Sequence, residues 1–578
     1  MTDQISKTKK RFIGYLILFL ILFNLLALSV NANENNKYGI HLAQPHLEDI
    51  RQAAELVNSS GGDWGYITLV IQEDDRNLQK WQEIFDALRK YHLIPIIRLA
   101  TKMEGNSWKR PSLDEAENWA NFLNSLNWVV KERYIVLFNE PNHGAEWGGA
   151  VDPYGFADIS LVYAQKLKEK NPNFFIMMAG FDASAPMMSP TYQDEDIFLQ
   201  QVFERINKDD FEKYFDGWSS HSYPNPAFSG GPAEWGRGTV RTYQWELNRL
   251  RAYGVSKEMP VFITETGWSD RRLSRETIAN YLQYAYENVW LPDRQVQAVT
   301  PFIFNYQGEP FIEFSWKKMQ NDVAAADAGG NFYPQYYRVQ ALAKIKGMPE
   351  RIDNGRIDFD KPRELVANSS YNFKLKIKND GQAIWDKADG YFLKLEGFPA
   401  DKYFFSDLVD IKPFEETEVD LHLKTDNTLG RNVTRVVLYR GDDKIIEDSL
   451  WNFVIMPLPS LKFDISTYPK LLTEGDDFEL QIFDEKENLI LKKSGLRVRK
   501  NTGYLDNIQN VVLGKKYRIV VLKPYYLPRQ EIITFKKKEN HVKFERMLPV
   551  DFNSDGKLSF EDIAALTKNP KLIQLFFP

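Results

Sequence analysis

The chain has 578 residues, which is too long for one hydrophobic core and predicts several domains. With 43% hydrophobic and 26% charged residues it is an ordinary globular protein, and a net charge of −6 argues against a nucleic-acid partner. The absence of cysteine excludes disulfides, a thiolate nucleophile and cysteine-bound zinc. We expect a monomer.

The first 32 residues have the pattern of an export signal. Basic residues precede an apolar run over residues 12–30, and Val30-Asn31-Ala32 offers small residues where a signal peptidase cuts. The run suits a cleaved signal peptide, but it could also just span a bilayer as an uncleaved N-terminal anchor. Both alternatives predict an extracellular protein, either secreted or anchored at the cell surface.

Residues 33–348 alternate short apolar runs with longer amphipathic ones. The apolar runs predict eight strands: Tyr38–Leu42, Tyr66–Ile71, Ile94–Leu99, Tyr134–Phe138, Phe174–Ala179, Gly217–Ser220, Val261–Thr264 and Val299–Phe304. Apolar residues spaced by three and four predict intervening helices: Leu78–Tyr91, Leu113–Val130, Pro153–Glu169, Val240–Tyr253 and Arg275–Val289. Eight such units predict a (β/α)₈ TIM barrel. A doubly wound open sheet competes, but the Gly-rich phosphate loop expected after its first strand is missing from this sequence.

The helical pattern stops at residue 349. Residues 349–456 alternate apolar and polar residues between turn signals, which predicts an immunoglobulin-like β-sandwich. Residues 457–547 are also rich in strand patterns and predict a second, smaller β-sandwich. Neither region carries a motif that identifies a ligand. Each either binds sugar or serves as a spacer, and we adopt the spacer interpretation.

The final segment, residues 548–578, carries oxygen-bearing groups at the spacing of a calcium loop. The predicted metal ligands are Asp551, Asn553, Asp555, Lys557, Ser559 and Asp562. Gly556 permits the sharp turn that such a loop needs. We predict a structural Ca²⁺ here, with a polar Asx-turn loop as the alternative, and no cofactor for catalysis.

This calcium loop, with Phe560–Leu566 as the helix predicted to follow it, resembles one repeat of a dockerin. Dockerins carry two repeats, and the sequence shows one. The resemblance therefore puts docking to a cohesin in doubt and favours a local calcium staple.

Two of the predicted strands end in a glutamate. The fourth runs into Asn139-Glu140-Pro141, and the seventh into Thr264-Glu265-Thr266-Gly267-Trp268. Polar residues at the carboxyl ends of barrel strands point into a shared mouth, where a carboxylate must be solvated, paired or used. Taken singly, such a glutamate is more often structural. As a pair they meet the need of glycoside hydrolysis for one protonated and one ionised carboxyl group.

These two segments resemble the strand-four and strand-seven signatures of clan A, the retaining TIM-barrel glycoside hydrolases that include cellulase-like and β-xylosidase-like enzymes. The resemblance covers residues 38–348. It implies double displacement at β-glycosidic bonds of an oligo- or polysaccharide, with Glu140 as acid/base and Glu265 as nucleophile. It further implies that Asn139 binds the 2-hydroxyl of the sugar, and that the two carboxyl groups lie about 5–5.5 Å apart.

Other residues are candidate substrate contacts. His221 and Tyr223 lie in a segment similar to the His-x-Tyr of clan A, which implies that Tyr223 holds Glu265. Arg98 is either a cation beside Glu265 or half of a structural salt bridge. The remaining candidates lie at strand ends or in nearby loops: His41, His143, Trp147, Trp268 and Trp316. The tryptophans are expected to stack on sugar, Trp268 first, or only to wall the pocket; His143 binds substrate or caps a loop.

Two rival functions stay open at this point. A catalytically silent barrel could serve as a carbohydrate-binding or adhesion module, although the presence of both glutamates argues against it. A transglycosylase would use the same residues and differ in its products.

Overall fold

The computed structural model describes residues 35–319, 330–468 and 473–575. The predicted export signal, residues 1–32, lies outside the described residues. Within the described part of the chain, no helix has the length and apolar character needed to cross a membrane. The chain divides into two compact units, residues 1–352 and 353–578.

The first unit is built on eight parallel strands. They are β1 (Gly39–Leu42), β2 (Gly65–Gln72), β3 (Leu93–Ala100), β4 (Arg133–Leu137), β5 (Phe174–Met178), β6 (Trp218–His221), β7 (Val261–Glu265) and β8 (Val296–Val299). Strands β1 to β5 form one sheet in that order, and β6 to β8 form another. Isolated parallel bridges join Met177 to Gly217 and Tyr38 to Val299, so the strands follow one another around a barrel. The predicted α/β barrel is confirmed to this extent.

Helices alternate with these strands. They are α1 (Leu47–Val57), α2 (Leu78–Lys90), α3 (Glu115–Ser125), α4 (Pro153–Lys170), α5 (Glu195–Arg205), α6 (Lys208–Tyr214), α7 (Thr242–Ala252), α8 (Arg275–Ala285) and α9 (Pro334–Ala341). Several begin where a side-chain oxygen accepts a backbone N–H, as at Asn77, Asp152 and Ser274. The predicted helix over 113–130 is shorter in the structure and spans only α3.

The eighth strand lies earlier in the chain than predicted. The pattern indicated Val299–Phe304, but β8 ends at Val299. The later residues still bond to both neighbours: the Thr300 N–H donates to the Ile263 carbonyl at 2.8 Å, and the Phe304 N–H to the His41 carbonyl at 2.9 Å. Residues 300–304 therefore lie outside the regular hydrogen-bond pattern of the sheet. The apolar run continues through them, so it does not indicate where the strand ends.

The second unit begins with two sheets. Its first strands are β9 (Gly355–Asp358), β10 (Glu364–Val366), β11 (Ser370–Asn379), β12 (Tyr391–Glu396), β13 (Tyr403–Phe405), β14 (Glu416–Lys424), β15 (Gly430–Arg440), β16 (Asp443–Glu447) and β17 (Trp451–Met456). One sheet has the order β9-β11-β14-β13; the other has β10-β17-β15-β12, with β16 paired to β15. Leu375 and Leu421 of the first sheet share a buried cluster with Val436 and Trp451 of the second. This arrangement agrees with the predicted sandwich.

The remaining β-rich region differs from the prediction. Its strands are β18 (Leu461–Asp464), β19 (Gly475–Phe483), β20 (Leu489–Arg499), β21 (Thr502–Leu505), β22 (Lys516–Lys523), β23 (Tyr526–Thr534) and β24 (Asn540–Lys543). All seven form one sheet in the order β23-β22-β19-β20-β21-β18-β24. The Leu527 N–H donates to the Leu548 carbonyl at 3.0 Å, so the chain after β24 returns to β23 and nearly closes a barrel. The predicted second two-sheet sandwich is corrected accordingly. Alternating strands look alike in both architectures.

The second unit ends in a loop followed by helix α10 (Phe560–Lys568) and a 3₁₀ turn (Pro570–Leu575). Ser559 caps α10, because its side chain and that of Asp562 form a capping box.

Candidate active site

A cavity of about 300 Å³ lies at the carboxyl ends of the barrel strands. Strand ends meet there because parallel barrel strands all point the same way. Six of the predicted site residues line the cavity: Arg98, Asn139, Glu140, His143, Tyr223 and Glu265. The structure therefore brings both predicted catalytic glutamates to one cavity.

The two glutamates face each other closely. A carboxylate oxygen of Glu140, one of Glu265 and a ring nitrogen of His221 all lie within 4.8 Å of one another. The Glu140 side chain is 19% exposed and that of Glu265 is 9% exposed, so neither is sealed in the interior.

The backbone around Glu140 takes an unusual course after β4. Phe138 has φ 71° and Glu140 has φ 28°, in the left-handed region that side chains other than glycine rarely adopt. Such positions cost about 1–3 kcal/mol each and persist where the surroundings enforce them. Here the Glu140 N–H donates to the Gly180 carbonyl at 3.1 Å, and the Glu140 carbonyl accepts from the His143 N–H at 2.8 Å.

Glu265 is held in its ionised form. Arg98 donates hydrogen bonds to Glu265 and to the Asn139 side-chain oxygen. The Tyr223 hydroxyl donates to Glu265 Oε2 at 3.1 Å. Burial by itself would raise the pKa of Glu265, but His221, Arg98, His41 and Tyr223 outweigh it and lower this pKa to about 2. Arg98 is thus the cation beside Glu265.

His221 bridges the two glutamates from β6. Its Nδ1 lies 2.8 Å from Glu140 Oε1 and 3.9 Å from Glu265 Oε2. Burial opposes a charge on the ring, but the two carboxylates outweigh burial and raise the pKa of His221. The ring packs directly over Gly180, where a Cβ atom would lie 2.1 Å from the His221 ring. Only glycine at position 180 leaves this space.

His143 connects Glu140 to a further carboxylate. Its Nε2 lies 2.8 Å from Asp182 Oδ2, and its Nδ1 lies 3.9 Å from Glu140 Oε2. Burial lowers the pKa of His143, but Asp182 and Glu140 raise it by more. The side chain forms no hydrogen bond that caps the 3₁₀ turn (Gly144–Glu146) following it, and its bond to Asp182 joins it instead to the loop after β5.

His41 supports Glu265 from β1, behind the cavity wall. Its Nδ1 is 3.8 Å from Glu265 Oε1, and its side chain is only 1% exposed. Burial lowers the pKa of His41 to about 3, so the ring is neutral at ordinary pH. Neither His41 nor His221 is among the residues that line the cavity, so direct substrate contact by these two is not supported.

The three predicted stacking tryptophans are buried. Trp147, Trp268 and Trp316 are 0%, 2% and 3% exposed and belong to the core. Without an open ring face they have no surface for a sugar, and this prediction is wrong. Aromatic residues that do line the cavity are Trp108, Phe138, Tyr223, Phe228, Phe302, Phe311 and Phe314.

Glu146 is a third carboxyl group on the cavity wall, and sequence reasoning missed it. It ends the 3₁₀ turn that follows His143. Burial and the nearby charge of Glu140 raise its pKa to about 7, although Arg98 and Asn139 act in the opposite direction. A lone glutamate in a Gly-rich loop follows no strand or helix period, so the sequence carried no signal for it.

In the second unit, the predicted metal ligands lie in one loop over residues 551–562. Asp551 accepts the backbone N–H groups of Asp555 at 3.0 Å and Gly556 at 2.9 Å. Gly556 has φ 85°, which supplies the predicted sharp turn. Asp562 accepts the N–H groups of Asn553 at 3.3 Å and Ser559 at 2.7 Å.

Within the part of the chain that the structure describes, the carboxylates of this loop form no ion pair with a basic side chain. Burial and the charges of Asp562 and Asp555 raise the pKa of Asp551, although two backbone N–H groups act against this. Among the described residues, no Lys or Arg side chain forms an ion pair with these three aspartates. Carboxylate and amide oxygens are the ligands that Ca²⁺ prefers. Among the described residues, however, the group of acidic and histidine side chains close enough to hold an ion together is Glu140, His221 and Glu265, and it does not include these aspartates.

Comparison with known proteins gives distant structural similarity. Neither a protein-family model nor a curated protein matches the chain. A β-mannanase from Thermomonospora fusca is 14% identical, covers 55% of this chain and 94% of its own, and has a TM-score of 0.33. A family 51 α-L-arabinofuranosidase from Bifidobacterium longum is 10% identical, covers 72% of this chain and 98% of its own, and scores 0.35. A β-1,4-D-mannanase from Cryptopygus antarcticus is 12% identical, covers 52% and 86%, and scores 0.32. These values are too low to assign a family or a substrate.

Proposed function

We propose that the first unit is a retaining glycoside hydrolase that cleaves β-glycosidic bonds in an oligo- or polysaccharide. The observation that carries this proposal is the approach of Glu140 and Glu265 within 4.8 Å across one cavity. Retaining enzymes hold their two carboxyl groups about 5–5.5 Å apart, whereas inverting enzymes need about 6.5–9.5 Å to admit a water. The short gap favours direct attack by a carboxylate on the sugar.

In the first step Glu265 acts as nucleophile. Its ionised carboxylate forms a bond to the anomeric carbon as the glycosidic bond breaks, and Glu140 gives its proton to the departing oxygen. Arg98 and Tyr223 orient the attacking carboxylate through their hydrogen bonds. Asn139, positioned by Arg98, is the proposed partner of the sugar 2-hydroxyl.

In the second step water releases the sugar. Glu140, now ionised, takes a proton from the water, whose oxygen attacks the anomeric carbon and frees Glu265. The hydrogen bond from His221 keeps Glu140 directed at the reacting oxygen through both steps. Both glutamates thereby return to their starting protonation states.

Product stereochemistry tests this proposal. Aryl β-glycosides of glucose, mannose, xylose and galactose are incubated with the protein, and the first-formed anomer is followed by proton NMR. We expect the β anomer, because two displacements retain configuration. Initial release of the α anomer contradicts the mechanism, and transfer to an added sugar acceptor in place of water identifies a transglycosylase.

We further propose that the loop over residues 551–562 binds a structural Ca²⁺. Asp551, Asn553, Asp555, Ser559 and Asp562 would offer side-chain oxygens, and Lys557 its carbonyl. The cation would neutralise the charges of Asp551, Asp555 and Asp562, with which no basic side chain of the described residues forms an ion pair.

We also propose that the protein is exported and either secreted or held at the cell surface. The basis is the basic and apolar pattern of residues 1–32.

A further inference from the structure

One tryptophan differs from all the others in exposure. Trp235 is 74% exposed, whereas every other tryptophan of the chain is buried or half-buried. Exposing an indole to water forgoes the stabilisation that burying an aromatic side chain provides. A single exposed apolar residue needs no explanation by itself, so the surroundings of Trp235 decide its meaning.

The indole of Trp235 is held at one face and open at the other. The guanidinium of Arg241 lies 4.1 Å from the ring centroid. Arg241 is itself only 8% exposed, so it forms a firm backing for the ring. Two residues beyond Trp235, Arg237 bonds to Asp194 at 2.8 Å and lies over the ring of Trp245. A flat aromatic face is therefore presented to solvent in a defined orientation.

The loop that carries this face also contributes to the wall of the catalytic cavity. Trp235 lies in the loop that follows β6, and the same loop supplies Phe228 to the cavity wall. The neighbouring loop after β5 is tied to it, because the Asn225 side chain donates to Ser184 at 2.8 Å. That second loop adds two exposed apolar side chains, Met187 and Met188.

We propose that Trp235 is the stacking platform of a remote sugar subsite. One sugar ring of a β-linked chain would pack its apolar face on the open indole face while another ring occupies the cavity between Glu140 and Glu265. The cavity, at about 300 Å³, is at the small end for ligand sites, so a longer chain must extend over the rim. The assignment to catalysis rests on the proposed function and deepens it: the substrate is a chain of several sugars.

Kinetics on short and long substrates test the platform. Trp235→Ala is compared with Tyr284→Ala, which removes an exposed aromatic ring from α8 on the outside of the barrel. The substrates are 4-nitrophenyl β-glycosides and the hexasaccharides mannohexaose, cellohexaose and xylohexaose. We expect Trp235→Ala to lower kcat/KM about tenfold on a hexasaccharide and to leave the nitrophenyl glycoside unchanged, with Trp235→Phe restoring part of the loss. An equal loss on both substrates, or no difference from Tyr284→Ala, overturns the platform.

A binding measurement separates failure of the platform from failure of the proposed function. Each variant is combined with Glu265→Gln and run on native gels that contain soluble glucomannan or xylan. Weaker retardation of the Trp235→Ala protein than of the Tyr284→Ala protein supports the platform, even if the unsubstituted chain hydrolyses nothing. Equal retardation of the two proteins, or none at all, overturns it.

Discussion

The cavity of the barrel and the C-terminal loop both gather carboxylates, but they balance the charge differently. Around the cavity, Glu265 meets Arg98 and His221, and Glu140 meets His221. In the loop, Asp551 and Asp562 meet backbone N–H groups instead. In the first arrangement basic side chains balance the carboxylates, whereas in the second the balancing charge would come from the proposed Ca²⁺.

Replacing either of the two proposed catalytic glutamates should lower activity, by different factors, and this is the largest effect expected. Glu265→Ala removes the nucleophile and should reduce turnover at least about 10⁴-fold on every substrate. Glu140→Ala should lower the steady-state rate about 10²–10⁴-fold on substrates with poor leaving groups, since these need the acid. The rate on dinitrophenyl glycosides should fall much less. Steady-state rates across a leaving-group series provide the measurement.

Glu258→Ala is the matched control for this pair. Glu258 is exposed and precedes β7, so it lies at the opposite end of the strand that carries Glu265. The activity of the Glu258→Ala protein should equal that of the unsubstituted protein. Uniform and complete loss in Glu140→Ala on all leaving groups counts against the acid/base role.

Calcium should act on the loop and leave the cavity chemistry untouched. After treatment with a chelator, added Ca²⁺ should protect residues 551–568 from proteolysis and stabilise the folded loop by about 2.7 kcal/mol at a hundredfold excess over Kd. Asp551→Ala should abolish both the protection and the heat of binding in calorimetry, because it removes a buried ligand. Rates on aryl glycosides should not change.

Asp401→Ala serves as the control for the calcium experiment, since Asp401 is 77% exposed in another part of the same unit. Mg²⁺ should protect residues 551–568 from proteolysis less than Ca²⁺ does, because Mg²⁺ demands a tighter octahedral geometry. Protection by Ca²⁺ that survives Asp551→Ala rules out this loop as the site.

Replacing Glu146 should give the smallest effect on activity. It tests how far the charge of this third carboxyl group influences Glu140 and Glu265. Its pKa of about 7 means that it is neutral in acid and adds a negative charge near Glu140 and Glu265 in base, with Arg98 as the nearby cation. That charge opposes loss of a proton from a neighbouring carboxyl group. In Glu146→Gln, the alkaline limb of the activity profile should therefore move down by roughly 0.5–1 pH unit.

Stability gives a second measurement of the same group. The folded state raises the pKa of Glu146 from 4.5 to about 7, so it binds the proton more tightly than the unfolded chain. The free energy of unfolding should consequently fall as pH rises from 4.5 to 7, and Glu146→Gln should lack this part of the decline. Parallel pH dependence in both proteins shows that Glu146 is not the group concerned.

The strand ends could be predicted from sequence because they depend on local pattern. Glu140 and Glu265 each follow a short apolar run, and parallel strands bring their carboxyl ends together. The alternation of strand and helix patterns was therefore enough to predict the α/β barrel of the first unit. The calcium loop stays a prediction from the fixed spacing of its oxygen donors.

What could not be predicted depends on contacts between distant segments. The burial of Trp268 follows from its bond to the Gly230 carbonyl, 38 residues away, and no local pattern announces it. The exposure of Trp235 and the placement of Glu146 depend likewise on how irregular loops fold over the strands. The near-closure of the last sheet depends on the return of Leu548 to β23, which strand alternation leaves undetermined.

The missing side chain at Gly180 sets a rule for variation among relatives of this protein. Since even a methyl group there would overlap the His221 ring, any homologue with another residue at this position must hold its imidazole elsewhere. Such a homologue would lose the contact between His221 and Glu140, the proposed acid. Under the proposed mechanism, the residue at position 180 therefore indicates from sequence alone which relatives keep this support for the acid.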